Sequence, residues 1–190
     1  MPVGITLTRV PPPPDSRSDP QLLADYAAGD VSAFEALYHR HRDWVARLAR
    51  RFTNHDTDAL DVMQETFAWL IRRAAAIELR VAMTSLLYPV VRNLSIKAAQ
   101  RRRRMITPDP DADLIAPVAT PEPDTADLAA LVECLPQPQR EVLLMRFVDD
   151  MPLDAIAAAL DIPVGTVKSR LHNALRTLRD DPRTRRYFDG

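Results

Sequence analysis

Glycine is scarce in this chain of 190 residues: Gly4, Gly29, Gly165 and Gly190 are all it has. Neither a phosphate-binding P-loop nor a GxGxxG dinucleotide turn can be written with glycines so few and so far apart. Cysteine is scarcer still. Cys134 stands alone, so no internal disulfide can form, and no second Cys or nearby His completes a zinc site. No apolar run approaches the roughly 20 residues needed to span a bilayer, and the opening residues MPVGITLTRVPPPPD lack a basic stretch followed by an apolar one. No membrane insertion, no secretory signal, no cofactor, no metal and a cytoplasmic location are the expectations. Net charge is nearly absent too, at −1 from 25 Lys+Arg and 26 Asp+Glu.

What the chain has in excess is proline, 17 in all, and it clusters. Pro11 to Pro14 make a stiff extended tail, and Pro108, Pro110, Pro117, Pro121 and Pro123 mark one stretch that resists helix and sheet. These clusters divide the chain into a disordered tail at 1–19, a first module at 20–104, a flexible linker at 105–126, a second module at 127–181 and a C-terminal tail at 182–190. The charge then separates. The first module nets +5; the linker has no Lys or Arg and five acids (Asp109, Asp111, Asp113, Glu122, Asp124). From Pro163 to Arg179 the second module carries Lys168, Arg170, Arg176 and Arg179 with no acid, the footprint of a helix that meets a polyanion.

Apolar spacing of three and four predicts helices throughout and no strands, hence an all-α fold. Ser18-Asp19-Pro20 reads as a helix start, Gly29 as its end and Asp30 as the cap of the next helix. That helix runs through Phe34, Leu37, Tyr38, Val45, Leu48 and Phe52. Another follows Asp56-Thr57-Asp58, with Met63, Phe67, Leu70 and Ile71 as its inner stripe and Asp61, Gln64 and Glu65 outside. A third spans about 84–104, with Pro89 inside it removing an amide donor and kinking it, and ends in four arginines. The second module contains a short helix, Pro152 to Leu160, a tight turn at Asp161-Ile162-Pro163 and a helix from Val164 to Leu178. This is a helix-turn-helix pattern, whose second helix places its N-terminal side chains in the major groove. Asp161 stands where the turn needs a left-handed residue.

These residues resemble the sigma-70 family of bacterial RNA polymerase specificity subunits, in its small two-domain extracytoplasmic-function (ECF) class. The resemblance covers about 20–104 and 127–181. Gly29-Asp30 with AFEALY, Asp61-Val-Met-Gln-Glu-Thr-Phe67, Arg92-Asn93-Leu94, LPQPQREVLLMR (135–146) and IPVGTVKSRL (162–171) carry it. Near the positions where the family usually has large aromatics this chain has Trp69 and Tyr88, and Pro89 replaces a basic or small residue.

The resemblance implies that Asp61, Gln64, Glu65 and Phe67 bind core polymerase through its β′ clamp helices. It also implies a −10 element surface in the segment from about Glu78 to Lys97 and the arginines after it, for which Arg80, Tyr88, Arg92, Asn93, Lys97 and Arg101 are the candidates. The second module would bind the −35 element through Val164, Thr166, Lys168, Ser169, Arg170 and His172 and would touch the β-flap. Capture of melted bases needs stacking or pocket contacts and cations along the backbone, and the linker's acids could mimic a nucleic-acid strand inside polymerase. The partners implied are core RNA polymerase, promoter DNA and, as an optional regulator, an anti-sigma factor.

The alternative function is a stand-alone helix-turn-helix regulator, which accounts for residues 136–180 and leaves Asp61 to Phe67 without a role. A helical adaptor that binds no DNA does not explain the acid-free stretch. An enzyme is disfavoured because His39, His41, His55 and His172 sit at scattered, surface-type positions with no paired acid, base or nucleophile.

Overall fold

The computed structural model describes residues 15–106 and 126–184, and every regular element among them is helical. The proline-rich start, nearly all of the acidic linker and the last six residues lie outside the described residues. The first half is α1 (Asp19–Ala27), α2 (Val31–Thr53), α3 (Asp56–Arg73), a single 3₁₀ turn (Ala74–Ala76) and α4 (Met83–Ile106). The second half is α5 (Ala126–Cys134), α6 (Gln137–Phe147), α7 (Leu153–Leu160) and α8 (Val164–Asp180).

Local chemistry sets the helix ends. The backbone N–H of Ser18 donates to the Gln21 side chain at 2.9 Å, Pro20 occupies the first turn, and Gly29 takes φ +107° just after α1. Asp30 then caps α2 by accepting from the Ser32 amide at 2.9 Å. Arg17 braces this corner, donating to Asp15, to Asp25 at 2.7 Å and to Asp30 at 2.8 Å. Bonds from Ser32 and Arg17 hold the Asp30 carboxyl down at about 2, so the brace persists to strongly acidic pH. Asn54 ends α2 and Asp161 ends α7, both left-handed.

Helix α2 is the hub. Its Leu37, Val45, Leu48 and Ala49 are fully buried among α1, α3 and α4. Leu48→Ala therefore removes most of a buried side chain and is expected to cost about 2–5 kcal/mol, read as a lower urea midpoint at unchanged slope. A loss below about 1 kcal/mol would mean that α2 is not the centre of the core.

Two expectations are corrected by the packing. Ile71 is exposed, and the inner stripe of α3 is Ala59, Val62, Thr66, Phe67 and Leu70, with Met63 only partly covered. That stripe follows the helical period from Ala59, and Ile71 falls one residue past its edge. His41 is buried, because Asp19 of α1 meets its Nε2 at 2.9 Å. Helix α4 runs 24 residues through Pro89, as the sequence led us to expect, and forgoes the amide that would have met the Ser85 carbonyl.

The two halves share one apolar core. Helix α7 packs on α4, and Val142, Met145, Met151, Ile156 and Val167 join the cluster built by α1 to α4. A smaller cluster of Leu131, Leu135, Leu143, Ala174 and Leu178 ties α5 and α6 to α8. The Thr184 hydroxyl, buried, donates to the Leu178 carbonyl and closes the end of α8.

Candidate nucleic-acid interface

The outward face of α3 follows from its inward one. With Val62, Thr66, Phe67 and Leu70 turned to the core, Asp61, Gln64 and Glu65 must point to solvent, and all three are exposed. Phe67 does not join them. It is 4% exposed, its ring 4.8 Å from Tyr38 and 6.3 Å from Phe34, so it anchors the motif from beneath. Thr66 steadies the same turn by donating to the Val62 carbonyl at 2.7 Å. Beside this face lies a cavity of about 230 Å³, with Asp58, Asp61 and Glu65 on its α3 side and Arg101 and Arg102 on its α4 side. Arg102 closes one end through Asp58 at 2.6 Å. The arginine run thus turns partly toward α3, and Arg101 shares a cavity with Asp58, Asp61 and Glu65 rather than with the other −10 candidates.

Those candidates divide into three groups. Arg80 lies before α4, exposed and paired with Glu78 at 2.8 Å. Asn93 and Lys97, one turn apart on α4, are exposed. Tyr88 is 1% exposed, while Arg92 is partly covered. Both meet Glu141 of α6: the Tyr88 hydroxyl donates to Oε1 at 3.3 Å, and Arg92 Nε lies 3.4 Å from the same oxygen. Burial pushes the Tyr88 hydroxyl well above the ordinary tyrosine range and keeps it a donor.

The helix-turn-helix is assembled as its residue types require. Asp161 adopts φ 52° and ψ 49°, the Ile162 amide returns to the Ala157 carbonyl at 3.0 Å, and α8 begins at once. Buried Val167, Ala174 and Leu178 set the inner face of α8; Lys168, Ser169 and His172 are exposed on the opposite side. Val164, Thr166 and Arg170 are half-buried at the rim. Ser169 Oγ donates to the Thr166 carbonyl at 3.0 Å. No side chain caps the first amides of α8, so the positive end of its dipole is open beside Lys168.

Sequence reasoning missed a third set of residues, at the seam between the halves. Trp44 Nε1 donates to the Asp149 backbone carbonyl at 2.9 Å, and Arg51 donates to Asp149 Oδ2 at 2.5 Å. Asp149 is nearly inaccessible, and burial pushes its carboxyl up against the pull of Arg51. Trp44 and Arg51 carry no sign of this in the sequence, because their partners lie about a hundred positions away. Among the described residues no three His, Cys, Asp or Glu side chains gather as a metal site, and no helix is long and apolar enough to cross a membrane.

A helical module with an exposed acid-and-amide face, followed by a helix-turn-helix, is the architecture of a transcription factor with two working surfaces. Residues 37–105 match the model of sigma-70 region 2, and residues 125–178 match that of sigma-70 region 4. The ECF RNA polymerase sigma factor SigM of Mycobacterium tuberculosis is 33% identical over 162 residues, which are 83% of this chain and 81% of that one. The ECF RNA polymerase sigma factor SigE of Mycolicibacterium smegmatis is 30% identical over 167 residues, 81% of this chain; the match spans only 64% of that longer protein. The fold resembles the solved structure of CnrH in complex with the cytosolic domain of CnrY, with a TM-score of 0.61 at 24% identity over 84% of this chain and 93% of that one. The chain belongs to the sigma-70 family of RNA polymerase sigma factors, in its extracytoplasmic-function class.

Proposed function

We infer that this protein binds core RNA polymerase and directs it to promoters, reading −10 and −35 elements and opening the DNA between transcription start and the −10 site. The observation that carries this reading is the presence, in one chain, of the exposed Asp61-Gln64-Glu65 face on α3 and the exposed Lys168-Ser169-His172 face on α8. The first face docks on polymerase and the second on duplex DNA, while Asn93, Lys97 and Arg80 meet the melted strand, joined by Tyr88 and Arg92 once these are uncovered. Neither module needs to bind its DNA element tightly alone. Holding both on polymerase raises their effective concentration at the promoter.

The chain carries no catalytic role of its own; polymerase performs the chemistry. Its place of action is the cytoplasm, where core polymerase and chromosome are. The domain limits 20–104 and 127–181 suit this division of labour, with the acidic segment between them crossing polymerase. An anti-sigma factor fits as an optional regulator, since the sigma factor RpoE of Bartonella quintana, similar in fold, was solved in complex with the anti-sigma factor NepR.

The stand-alone regulator is not favoured, because the matches to both sigma regions lie in the same chain and in the same order as in the relatives. Gel filtration with bacterial core polymerase separates the two readings. Co-elution at one protein per core enzyme is expected; elution wholly apart from core at micromolar concentration would leave a DNA-binding regulator as the better description.

A further inference from the structure

The outward face of α8 has a centre and two flanks. Val167, Ala174 and Leu178 are buried, with Leu171 and Leu175 partly covered beside them. Opposite that stripe, at about 100° of turn per residue, stand Gly165, Ser169, Asn173 and Arg176, spaced by four, four and three. Lys168 and Arg170 fall roughly a quarter turn to either side. A helix laid in the major groove turns such a centre toward base edges and its flanks toward phosphates. The centre is equipped differently from turn to turn. Gly165 has no side chain, and nothing lies within 4 Å of where one would start. Ser169 commits its hydroxyl proton to the Thr166 carbonyl at 3.0 Å, so it faces outward with lone pairs only. Asn173 is half-buried; its backbone carbonyl accepts from Thr177 Oγ1 at 3.0 Å, and its side-chain amide has no hydrogen-bond partner among the described residues. An asparagine inside a helix lowers helix propensity relative to alanine, and no side-chain bond within the described chain offsets that loss.

We propose that Asn173 is a specificity-determining residue that reads one adenine of the −35 duplex through the base's N6 and N7. Asn173 is not one of the −35 residues that the resemblance implies. Adenine is the base whose major-groove edge matches a free amide: it sets the N7 acceptor beside the N6 amino donor, and an asparagine meets both at once. Guanine presents two acceptors there, and each pyrimidine a single polar group. The proposal rests on the sigma-factor reading for which duplex this is, while the match of amide to adenine depends only on α8. Lys168 and Arg170, on the flanks, hold phosphates and set affinity without choosing bases. Ser169, one turn before Asn173, lies about 6 Å along the axis, under two base-pair steps. The adenine therefore falls at a single position, within the few base pairs that the first two turns of α8 span.

The test is selection from a library of randomised DNA duplexes by the full chain, with and without core polymerase, followed by sequencing of the bound fraction. The wild type should enrich adenine at one position at least fivefold over each other base. Asn173→Ala should bring that position to within twofold of no preference and leave the other positions as they were. Asn173→Arg should move the same position to guanine, whose O6 and N7 suit a guanidinium. Lys168→Ala is the comparison, and should weaken binding to all sequences alike. A uniform loss in Asn173→Ala, of the kind expected for Lys168→Ala, would make the amide a phosphate contact and overturn the proposal. So would an Asn173→Ala pattern identical to the wild type, loss of a preference for a base other than adenine, or a wild type that enriches no sequence with or without core. Should Asn173→Ala lose the native circular dichroism spectrum, Asn173→Arg decides alone, and an adenine preference left in place by it overturns the proposal. Core binding is scored separately by gel filtration: an adenine preference that depends on Asn173, in a chain that never binds core, would contradict the sigma-factor reading and leave the role of Asn173 standing.

Discussion

Replacing Asp61 and Gln64 together with alanine is expected to weaken binding to core RNA polymerase by about 100-fold or more, close to 3 kcal/mol. Both side chains stand on the exposed face of α3 with no side-chain hydrogen bond among the described residues, and Phe67 and Val62 hold the helix in place from below. Surface substitutions of this kind shift stability by about 0.5 kcal/mol or less, and alanine favours the helix, so the fold should survive intact. Loss of binding can then be assigned to the surface itself. Cys134, the sole thiol and exposed, gives a labelling position away from α3 for the titration. An affinity within threefold of the wild type would remove α3 from the docking surface. Phe67→Ala should behave differently: it opens a cavity among Phe34 and Tyr38 and loses about 3–5 kcal/mol of stability, with polymerase binding failing only as the fold does.

The second large effect lies on α8. Lys168→Ala with Arg170→Ala is expected to weaken duplex binding by the polymerase-bound protein and to make its salt dependence shallower. If each cation neutralises one phosphate, the slope of log affinity against log salt falls in magnitude by about 2 for the pair. The geometry supports unequal shares. Lys168 is exposed on the outer face, whereas Arg170 is half-buried at the rim and must extend along the helix to reach the backbone. Single variants should show Lys168 carrying the larger part. An unchanged slope in the double variant would mean that neither side chain meets phosphate, and that α8 approaches DNA by another face.

The elements were legible because their signals are local. Ser18, Asp30 and Asp161 mark helix ends through bonds or backbone angles formed within a few residues, and the three-and-four spacing of Leu37, Val45 and Leu48 needs only one helix to express it. The outward positions of Asp61, Gln64 and Glu65 were legible for the same reason, once the inward stripe was known. The buried status of Tyr88, Trp44 and His41 was not, because each is decided by a partner from another element: Glu141, Asp149 and Asp19 respectively. Tyr88 and Arg92 look like available DNA contacts in the sequence; in the fold Tyr88 is buried and Arg92 is partly covered where it faces Glu141 of α6. Ile71 shows the remaining weakness of spacing arguments. Apolar residues at the edge of a helical face pass for core until the neighbouring helix fixes where that face ends.

Promoter-specific initiation by a reconstituted enzyme tests the central claim most directly. Core polymerase, the protein and fragmented chromosomal DNA of its source are incubated with nucleotides, and the 5′ ends of the transcripts are sequenced. The expected result is a set of start sites absent with core alone, preceded by one shared pair of −10 and −35 sequences and lost with the Asp61→Ala/Gln64→Ala variant. Start sites identical to those of core polymerase alone, at saturating protein that binds the enzyme, would contradict it.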